Sequence, residues 1–199
     1  MIAAIAFDVM DTLLSDPFRA ALHAATGLSL EQLSARRDPT VHPAFERGEL
    51  DEEAYWRAFD AAGVVADRGA FHQARRDGTR WLPGMRELLD ELDGRVLRVA
   101  ATNYPVWIEE LAAGPLAGRL ELLVASCHLG VRKPDPAFYR GLLAQLELPP
   151  QRVLFVDDRP PNVAAARELG LLAHRFTDAA TLRALLGDHG VLPRRSDRR

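Results

Sequence analysis

The sequence predicts an α/β fold, in which a parallel sheet has helices on both faces and a small all-α cap is inserted. Over most of the chain, short apolar segments of strand type alternate with amphipathic segments of about ten residues. This alternation is typical of right-handed β-α-β crossovers and therefore of a parallel sheet. Residues 15–80 interrupt it, because they carry helical patterns and no strand signal.

Five segments have the length and apolar composition of buried strands, and a helical pattern follows the strands in turn. The predicted strands are residues 2–7, 96–101, 120–125, 152–156 and 171–176. The helices predicted outside the insertion are residues 85–92, 105–113, 135–146, 160–169 and 178–186.

The inserted segment contains clear helix starts. Asp16-Pro17 is typical of an N-cap followed by proline in the first turn, and Ser29 has capping-box spacing to Gln32. Asp51 precedes a further helix with apolar residues at helical spacing. A fourth helix is predicted over residues 67–77.

The predicted organisation has three parts. A core is formed by residues 1–14 and 81–187, a helical cap by residues 15–80, and a disordered basic tail by residues 188–199. The cap is too small to be treated as an independent domain.

Composition narrows the class of protein. The chain has 199 residues, 48% of them hydrophobic and 27% charged, which is the balance of an ordinary globular protein. Its net charge of -3 gives no electrostatic case for nucleic acid binding. Cys127 is the one cysteine, so an intrachain disulfide is excluded. No apolar stretch reaches the roughly 18 residues of a membrane span, and we expect a cytoplasmic protein with no membrane partner.

Polar residues follow three of the predicted strands, where the carboxyl ends of a parallel sheet meet at one edge. Each group alone could be a solvated loop or a helix cap. Together, converging carboxylates repel one another, and bound Mg²⁺ commonly relieves that repulsion. Lys133 adds a cation that can neutralise an incoming phosphate. The set is suited to phosphoryl transfer. The groups are Asp8 with Asp11-Thr12, Thr102-Asn103, and Asp157-Asp158.

Four short motifs stand in order along the chain. They are Phe7-Asp8-Val-Met-Asp-Thr12-Leu13, Ala101-Thr102-Asn103, Gly130-Val-Arg-Lys133-Pro134-Asp135-Pro136 and Phe155-Val-Asp157-Asp158-Arg-x-x-Asn162. With these motifs the chain resembles the haloacid dehalogenase-like hydrolases that carry a helical cap after the first strand. The resemblance covers residues 1 to about 186 and implies a Rossmann-like core with a mobile cap that selects the substrate.

The resemblance also implies roles for individual residues. Asp8 would be the nucleophile, and its second oxygen, the Met10 backbone carbonyl and Asp158 would hold Mg²⁺. Asp157 would be either a further metal ligand or a neighbour of the ligands. Lys133 would pair with Asp8 and with the phosphate of a small phosphorylated substrate. Thr102 and the backbone or amide of Asn103 would bind the oxygens of the transferring group.

Position 10 departs from the family's phosphatase pattern, in which a second aspartate acts as general acid two residues after the nucleophile. Met10 cannot transfer a proton, and general acid–base help is worth roughly 10²–10⁴-fold in rate. Poor leaving groups should suffer most. Asp11 is one residue out of register, and it would take part only after a local backbone shift.

Two alternatives to a Mg²⁺-dependent phosphatase follow from Met10. One is a catalytically impaired metal-binding or interaction protein. The other is a 2-haloacid dehalogenase, since dehalogenases of the family also lack an aspartate at this position. The dehalogenases need no Mg²⁺, so Asp157-Asp158 favours the phosphatase. Substrate identity and oligomeric state do not follow from the sequence.

Overall fold

The computed structural model describes residues 1–194, and the last residues of the predicted tail, 195–199, lie outside the described part. Five strands form one parallel sheet in the spatial order β3-β2-β1-β4-β5. The predicted α/β fold class is confirmed. The strands are β1 (Ala4–Phe7), β2 (Leu97–Thr102), β3 (Leu122–Ala125), β4 (Val153–Asp157) and β5 (Leu172–Arg175).

The sheet order decides where a ligand can bind. From β1 the chain moves outward through β2 to β3, and it then returns to the other side of β1 with β4 and β5. The carboxyl ends of β1, β2 and β4 therefore meet where the order reverses, which is the usual ligand crevice of such sheets.

Helices cover both faces of the sheet, because alternate residues of its strands point to opposite sides. In β1, Ile5 and Phe7 belong to one buried apolar cluster, whereas Ala4 and Ala6 belong to another. The helices outside the insertion are α6 (Met85–Leu92), α7 (Ile108–Ala113), α8 (Ser126–Leu129), α9 (Pro136–Leu146), α10 (Pro160–Glu168) and α11 (Ala179–Asp188).

The segment between β1 and α6 contains five helices, which we call the helical insertion (residues 18–78). They are α1 (Phe18–Thr26), α2 (Leu30–Ser34), α3 (Val41–Glu46), α4 (Glu52–Ala61) and α5 (Arg68–Gly78). The insertion leaves and re-enters the sheet domain through adjacent connections. Ser15 N–H donates to the Arg80 carbonyl at 2.8 Å, and Leu82 N–H donates to the Leu13 carbonyl at 2.9 Å.

Helix α3 is absent from the sequence-based prediction. Pro43 lies in its middle by sequence, but within the first turn, where a helix has no partner for its N–H groups in any case. Phe45 stabilises this short helix by stacking on Tyr55 of α4, with ring centroids 4.4 Å apart. Tertiary packing therefore outweighs a weak local preference.

The predicted caps are largely present. Ser29 and Gln32 form the reciprocal bonds of a capping box, and the Asp51 carboxylate accepts from Ala54 N–H. Helix α1 begins one residue later than predicted, at Phe18, and Asp16 Oδ1 accepts from Phe18 N–H at 2.9 Å without being the N-cap.

The disorder expected from residue 188 onward is wrong for residues 188–192. Asp188 ends α11, and Val191 and Leu192 are buried in the same apolar cluster as Leu186. Gly190, with a φ of +70°, turns the chain back onto the sheet domain. The prediction of disorder rested on the basic composition of the tail and gave too little weight to these two apolar residues.

Candidate active site

Asp8 follows the central strand directly and is held rigidly. Its N–H donates to the Val156 carbonyl of β4 at 2.8 Å, which continues the sheet pairing by one residue. The residue is 7% exposed. Burial raises the pKa of Asp8 from 3.8 to about 6; Lys133 opposes this rise and Asp157 adds to it.

Lys133 is buried beside Asp8 with all of its donors engaged. Its ammonium lies 2.9 Å from Asp8 Oδ1 and 2.7 Å from Asp157 Oδ2, and it donates to the Ala101 carbonyl at 2.6 Å. Burial alone would lower the pKa of Lys133, but the two carboxylates outweigh it and raise that pKa. The side chain therefore remains a cation inside the protein.

Thr102, the last residue of β2, and Asn103, which follows it, have different surroundings. The Asn103 amide donates to the Lys133 carbonyl and accepts from Lys133 N–H, both at 2.8 Å. It thereby fastens the Lys133 loop to the end of β2. Thr102 is buried and lines the same cavity as Asp8. The Asn103 amide is thus engaged within the protein.

Asp157 and Asp158 differ sharply in their environment. Asp157 is fully buried, and its oxygens accept from Lys133, from Arg159 N–H at 2.9 Å and from the Asn162 amide at 3.0 Å. Asp158 is only half-buried and lines the cavity. Burial, with the charges of Asp157 and Asp11, raises the pKa of Asp158.

Asn162 holds a position that the sequence-based roles omit. It stands in the first turn of α10, and its amide bonds both oxygens of Asp157 while its carbonyl accepts from Tyr139 Oη. Its spacing of five residues from Asp157 was visible in the fourth motif.

The acidic side chains form a group that can hold a cation. One carboxylate oxygen from each of Asp8, Asp157 and Asp158 lies within 4.8 Å of the others. The Lys133 ammonium neutralises part of this charge. Hard oxygen donors of this kind fit Mg²⁺, and Met10 lies in the wall of the same cavity.

Asp11 takes an unusual backbone conformation next to Met10. Its φ of +56° lies in the left-handed region, which aspartate tolerates better than most residues. Its N–H donates to the Leu14 carbonyl at 2.6 Å, and its carboxylate accepts from Asp16 N–H at 3.1 Å. The Met10 side chain packs against the apolar core.

A cavity of about 530 Å³ lies between the sheet edge and the helical insertion. The sheet edge contributes Asp8, Thr102, Lys133 and Asp158, and the insertion contributes Phe18, Arg37, His42 and Glu46. This volume falls within the range of about 300–1,000 Å³ that is usual for small-molecule sites.

An aromatic junction joins the insertion to the sheet domain beside this cavity. Trp107, in the connection after β2, lies 4.9 Å from Phe45 and 4.8 Å from Phe71 between ring centroids, and it also neighbours Tyr55 and Trp56. Trp56 and Phe59 of the insertion are buried as well.

Ion pairs also join the insertion to the sheet domain. Glu46 of the insertion pairs at 2.7 Å with Arg132, which precedes Lys133 in the sequence. Arg75 is 2% exposed and forms an ion pair with Glu110. Helix α5 therefore faces the sheet domain at Arg75.

The fold and the acidic edge with its buried lysine define a haloacid dehalogenase-like hydrolase. A family model of that description matches residues 2–170, and the chain belongs to this family. The predicted resemblance is confirmed, and the protein is a hydrolase.

Two relatives and one solved structure are similar to this chain over most of its length. The chain is 38% identical over 189 residues to flavin mononucleotide hydrolase 1 of Arabidopsis thaliana, covering 93% of this chain and 76% of the relative. It is 29% identical over 181 residues to the sesquiterpene phosphatase astK of Aspergillus oryzae, and the match covers 81% of this chain and 87% of the relative. A HAD family enzyme of Bacteroides thetaiotaomicron, solved with magnesium and inorganic phosphate, has the same fold. Its TM-score is 0.75 at 13% identity, with coverage of 90% of this chain and 96% of that one.

Cellular location stays a prediction. Among the helices of residues 1–194, none combines the length and hydropathy that a membrane crossing requires. The Arabidopsis relative is a chloroplast protein by its name, and the cytoplasmic location expected for this chain has no direct test.

Proposed function

We propose that this hydrolase is a Mg²⁺-dependent phosphatase that cleaves phosphate monoesters of small metabolites through an aspartyl-phosphate intermediate on Asp8. The observation that carries the proposal is the buried trio of Asp8, Lys133 and Asp157, of which Asp8 and Lys133 line the cavity. A lysine between two carboxylates orients the nucleophile and retains positive charge for a phosphate.

Each residue has a defined part in the proposed reaction. An Asp8 oxygen attacks phosphorus, and the bond from phosphorus to the leaving oxygen breaks. Lys133 balances the negative charge of Asp8 and of the phosphate, while Asp157 and Asn162 keep its ammonium in place. Thr102 and the Asn103 backbone would donate to the phosphate oxygens, because the Asn103 amide already bonds the Lys133 loop.

We assign the metal ligands to Asp8, Asp158 and the Met10 backbone carbonyl. Asp158 is preferred to Asp157 as a direct ligand because the oxygens of Asp157 already accept from Lys133, Arg159 N–H and Asn162. When bound, Mg²⁺ supplies positive charge that offsets the charge on the phosphoryl group.

Flavin mononucleotide is the first substrate to test, because a relative with 38% identity is named for its hydrolysis. The cavity contains both acidic and basic side chains from the insertion, including Arg37 and Asp38, together with the ring of Phe18. Such a wall suits a phosphorylated metabolite that has a ring and polar substituents.

The test is phosphate release from flavin mononucleotide, p-nitrophenyl phosphate and acetyl phosphate, each with Mg²⁺ or with chelator. We expect Mg²⁺-dependent turnover in the wild type and only background release in Asp8→Asn. Asp60→Asn is the matched control, because Asp60 is an exposed carboxylate of α4 outside the cavity wall.

Two other results would contradict the proposal. Chelator-resistant release of halide from 2-haloacids, without phosphate release, would identify a dehalogenase. Mg²⁺ binding without Asp8-dependent turnover of any of the three phosphate esters would favour a metal-binding interaction protein.

A further inference from the structure

This inference rests on the proposed phosphatase function and concerns esters whose leaving group is an alcohol. When the bond between phosphorus and an alkyl oxygen breaks, the departing alkoxide needs a proton. Met10 has none to give, and it packs against the apolar core. A phosphatase that acts on such esters therefore needs another donor in the cavity wall.

Most acidic groups in that wall are already occupied. The Asp38 carboxylate accepts from Thr40 N–H and Oγ1 at 2.8 and 2.7 Å, which lowers its pKa and keeps it ionised. Glu46 is paired with Arg132 at 2.7 Å. Asp11 Oδ1 accepts from Asp16 N–H, which leaves the second oxygen of Asp11 as a competing donor that the experiment has to separate from Asp16.

Asp16 is held by local hydrogen bonds in the cavity wall. Its Oδ1 accepts from Phe18 N–H at 2.9 Å and its own N–H donates to Asp11 at 3.1 Å, so both backbone and side chain are held in place. Within residues 1–194, its Oδ2 has no hydrogen-bond partner. Asp16 lines the cavity together with Asp8 and Met10.

The charges around Asp16 support the protonated form. The residue as a whole is exposed, but its carboxyl group lies among protein atoms at the cavity edge. This burial, with the charge of Asp11, raises the pKa of Asp16, against the opposing effects of the Phe18 N–H, His42 and Arg19. A carboxylic acid with a raised pKa can carry a proton closer to neutral pH.

We propose that Asp16 is the proton donor that replaces the missing acid at position 10. As Asp8 bonds to phosphorus and the ester bond breaks, the proton on Asp16 Oδ2 passes to the leaving oxygen, and an alcohol departs. Asp16 then accepts a proton from the water that attacks the aspartyl phosphate. That attack releases inorganic phosphate, frees Asp8 and restores the acid.

The experiment compares leaving groups of rising basicity in Asp16→Asn. The Asn Oδ1 still accepts from Phe18 N–H, so the loop keeps its hydrogen bond. We expect kcat/KM for flavin mononucleotide to fall roughly 10²–10⁴-fold, and that for p-nitrophenyl phosphate to fall less than about fivefold, since nitrophenolate leaves without a proton. Phenyl phosphate should lie between them. The wild type should lose activity on flavin mononucleotide as pH rises through the pKa of Asp16, and the variant should lack that limb.

Controls separate this inference from the proposed function. Asp8→Asn should abolish turnover of every substrate, and its failure to do so would sink the proposed function itself. Asp60→Asn changes an exposed carboxylate outside the cavity wall, and it should alter the ratio of the two kcat/KM values less than about twofold.

Three outcomes would overturn the role of Asp16. The first is an equal loss on all substrates in Asp16→Asn, which indicates a structural or positioning role. The second is no loss on flavin mononucleotide or phenyl phosphate. The third is a selective loss on flavin mononucleotide in Asp11→Asn or His42→Gln with none in Asp16→Asn, which would assign the donor to Asp11 or to His42.

Discussion

The aromatic junction and the sheet edge beside it are both buried, but the first consists of apolar side chains and the second of charged ones. At the junction, Trp107 lies within 5 Å of Phe45 and Phe71 between ring centroids, and all three are buried and apolar. At the sheet edge, Asp8 and Lys133 are equally buried but charged. The junction stabilises the fold, whereas the edge holds charges whose desolvation costs free energy and whose arrangement serves chemistry.

Apolar packing next to the site offsets the free energy that its buried charges cost. Trp107 comes four residues after Asn103, so one connection carries both a site residue and the main aromatic contact of the insertion. Ser126 adds to this link, because it accepts from Tyr104 N–H and donates to the Glu46 carbonyl of the insertion. The insertion is therefore held at the edge of the site by apolar packing.

Truncation at the junction should have the largest effect on stability. In Trp107→Ala the indole is lost from a packed aromatic cluster, and such changes cost about 3–5 kcal/mol of unfolding free energy. Urea denaturation followed by circular dichroism measures this loss. Trp81→Ala is the matched control, because Trp81 is only partly buried and lies outside the junction. Equal losses in both variants would contradict the special weight given to Trp107.

Removal of the buried cation should have the next largest effect. Lys133→Met leaves Asp8 and Asp157 facing each other without the ammonium between them. Breaking such buried pairs costs about 3–5 kcal/mol, and we expect the lower end of that range because Asp8 can take up a proton. Thermal denaturation at pH 5 and pH 8 tests this, with the larger loss at pH 8. An equal loss at both pH values would argue against carboxylate repulsion as the cause.

Neutralising Asp8 should have the smallest effect, and of opposite sign. The folded pKa of about 6 lies above the ordinary 3.8, so ionised Asp8 destabilises the metal-free fold. This penalty is absent below about pH 4, grows as pH rises, and is complete above about pH 6. Asp8→Asn should therefore be about 1–3 kcal/mol more stable at pH 7. Denaturation with chelator at pH 4 and pH 7 measures it, and no gain at pH 7 would contradict the assigned cost.

Local signals in the sequence were sufficient for most of the fold. The strands predicted at residues 96–101 and 152–156 overlap β2 and β4, because apolar runs bounded by turn residues are strong strand signals. Helix α3 was missed because it is only six residues long and follows the helix break at Asp38-Pro39. The packed residues 188–192 were missed because a basic composition outweighed two apolar side chains.

The candidate site was less completely predictable. Its residue types could be named, since Asp8 and the Asp157-Asp158 pair come at the ends of strands that must meet at one edge, and Lys133 lies in a recognisable motif. That Asp157 is saturated by Lys133, Asn162 and Arg159 N–H depends on three segments that meet only in the folded chain.

By itself, the sequence determined the α/β class, the family, and the group of carboxylates and lysine that the fold would bring together. These follow from periodicity and motif order, which are local properties of the chain. Only the tertiary structure decided that Asp158 rather than Asp157 lines the cavity, that Trp107 packs against the insertion, and that Asp16 lines the same cavity as Met10. Such assignments depend on which distant side chains satisfy one another's hydrogen bonds and fill one another's space, and no local pattern encodes that.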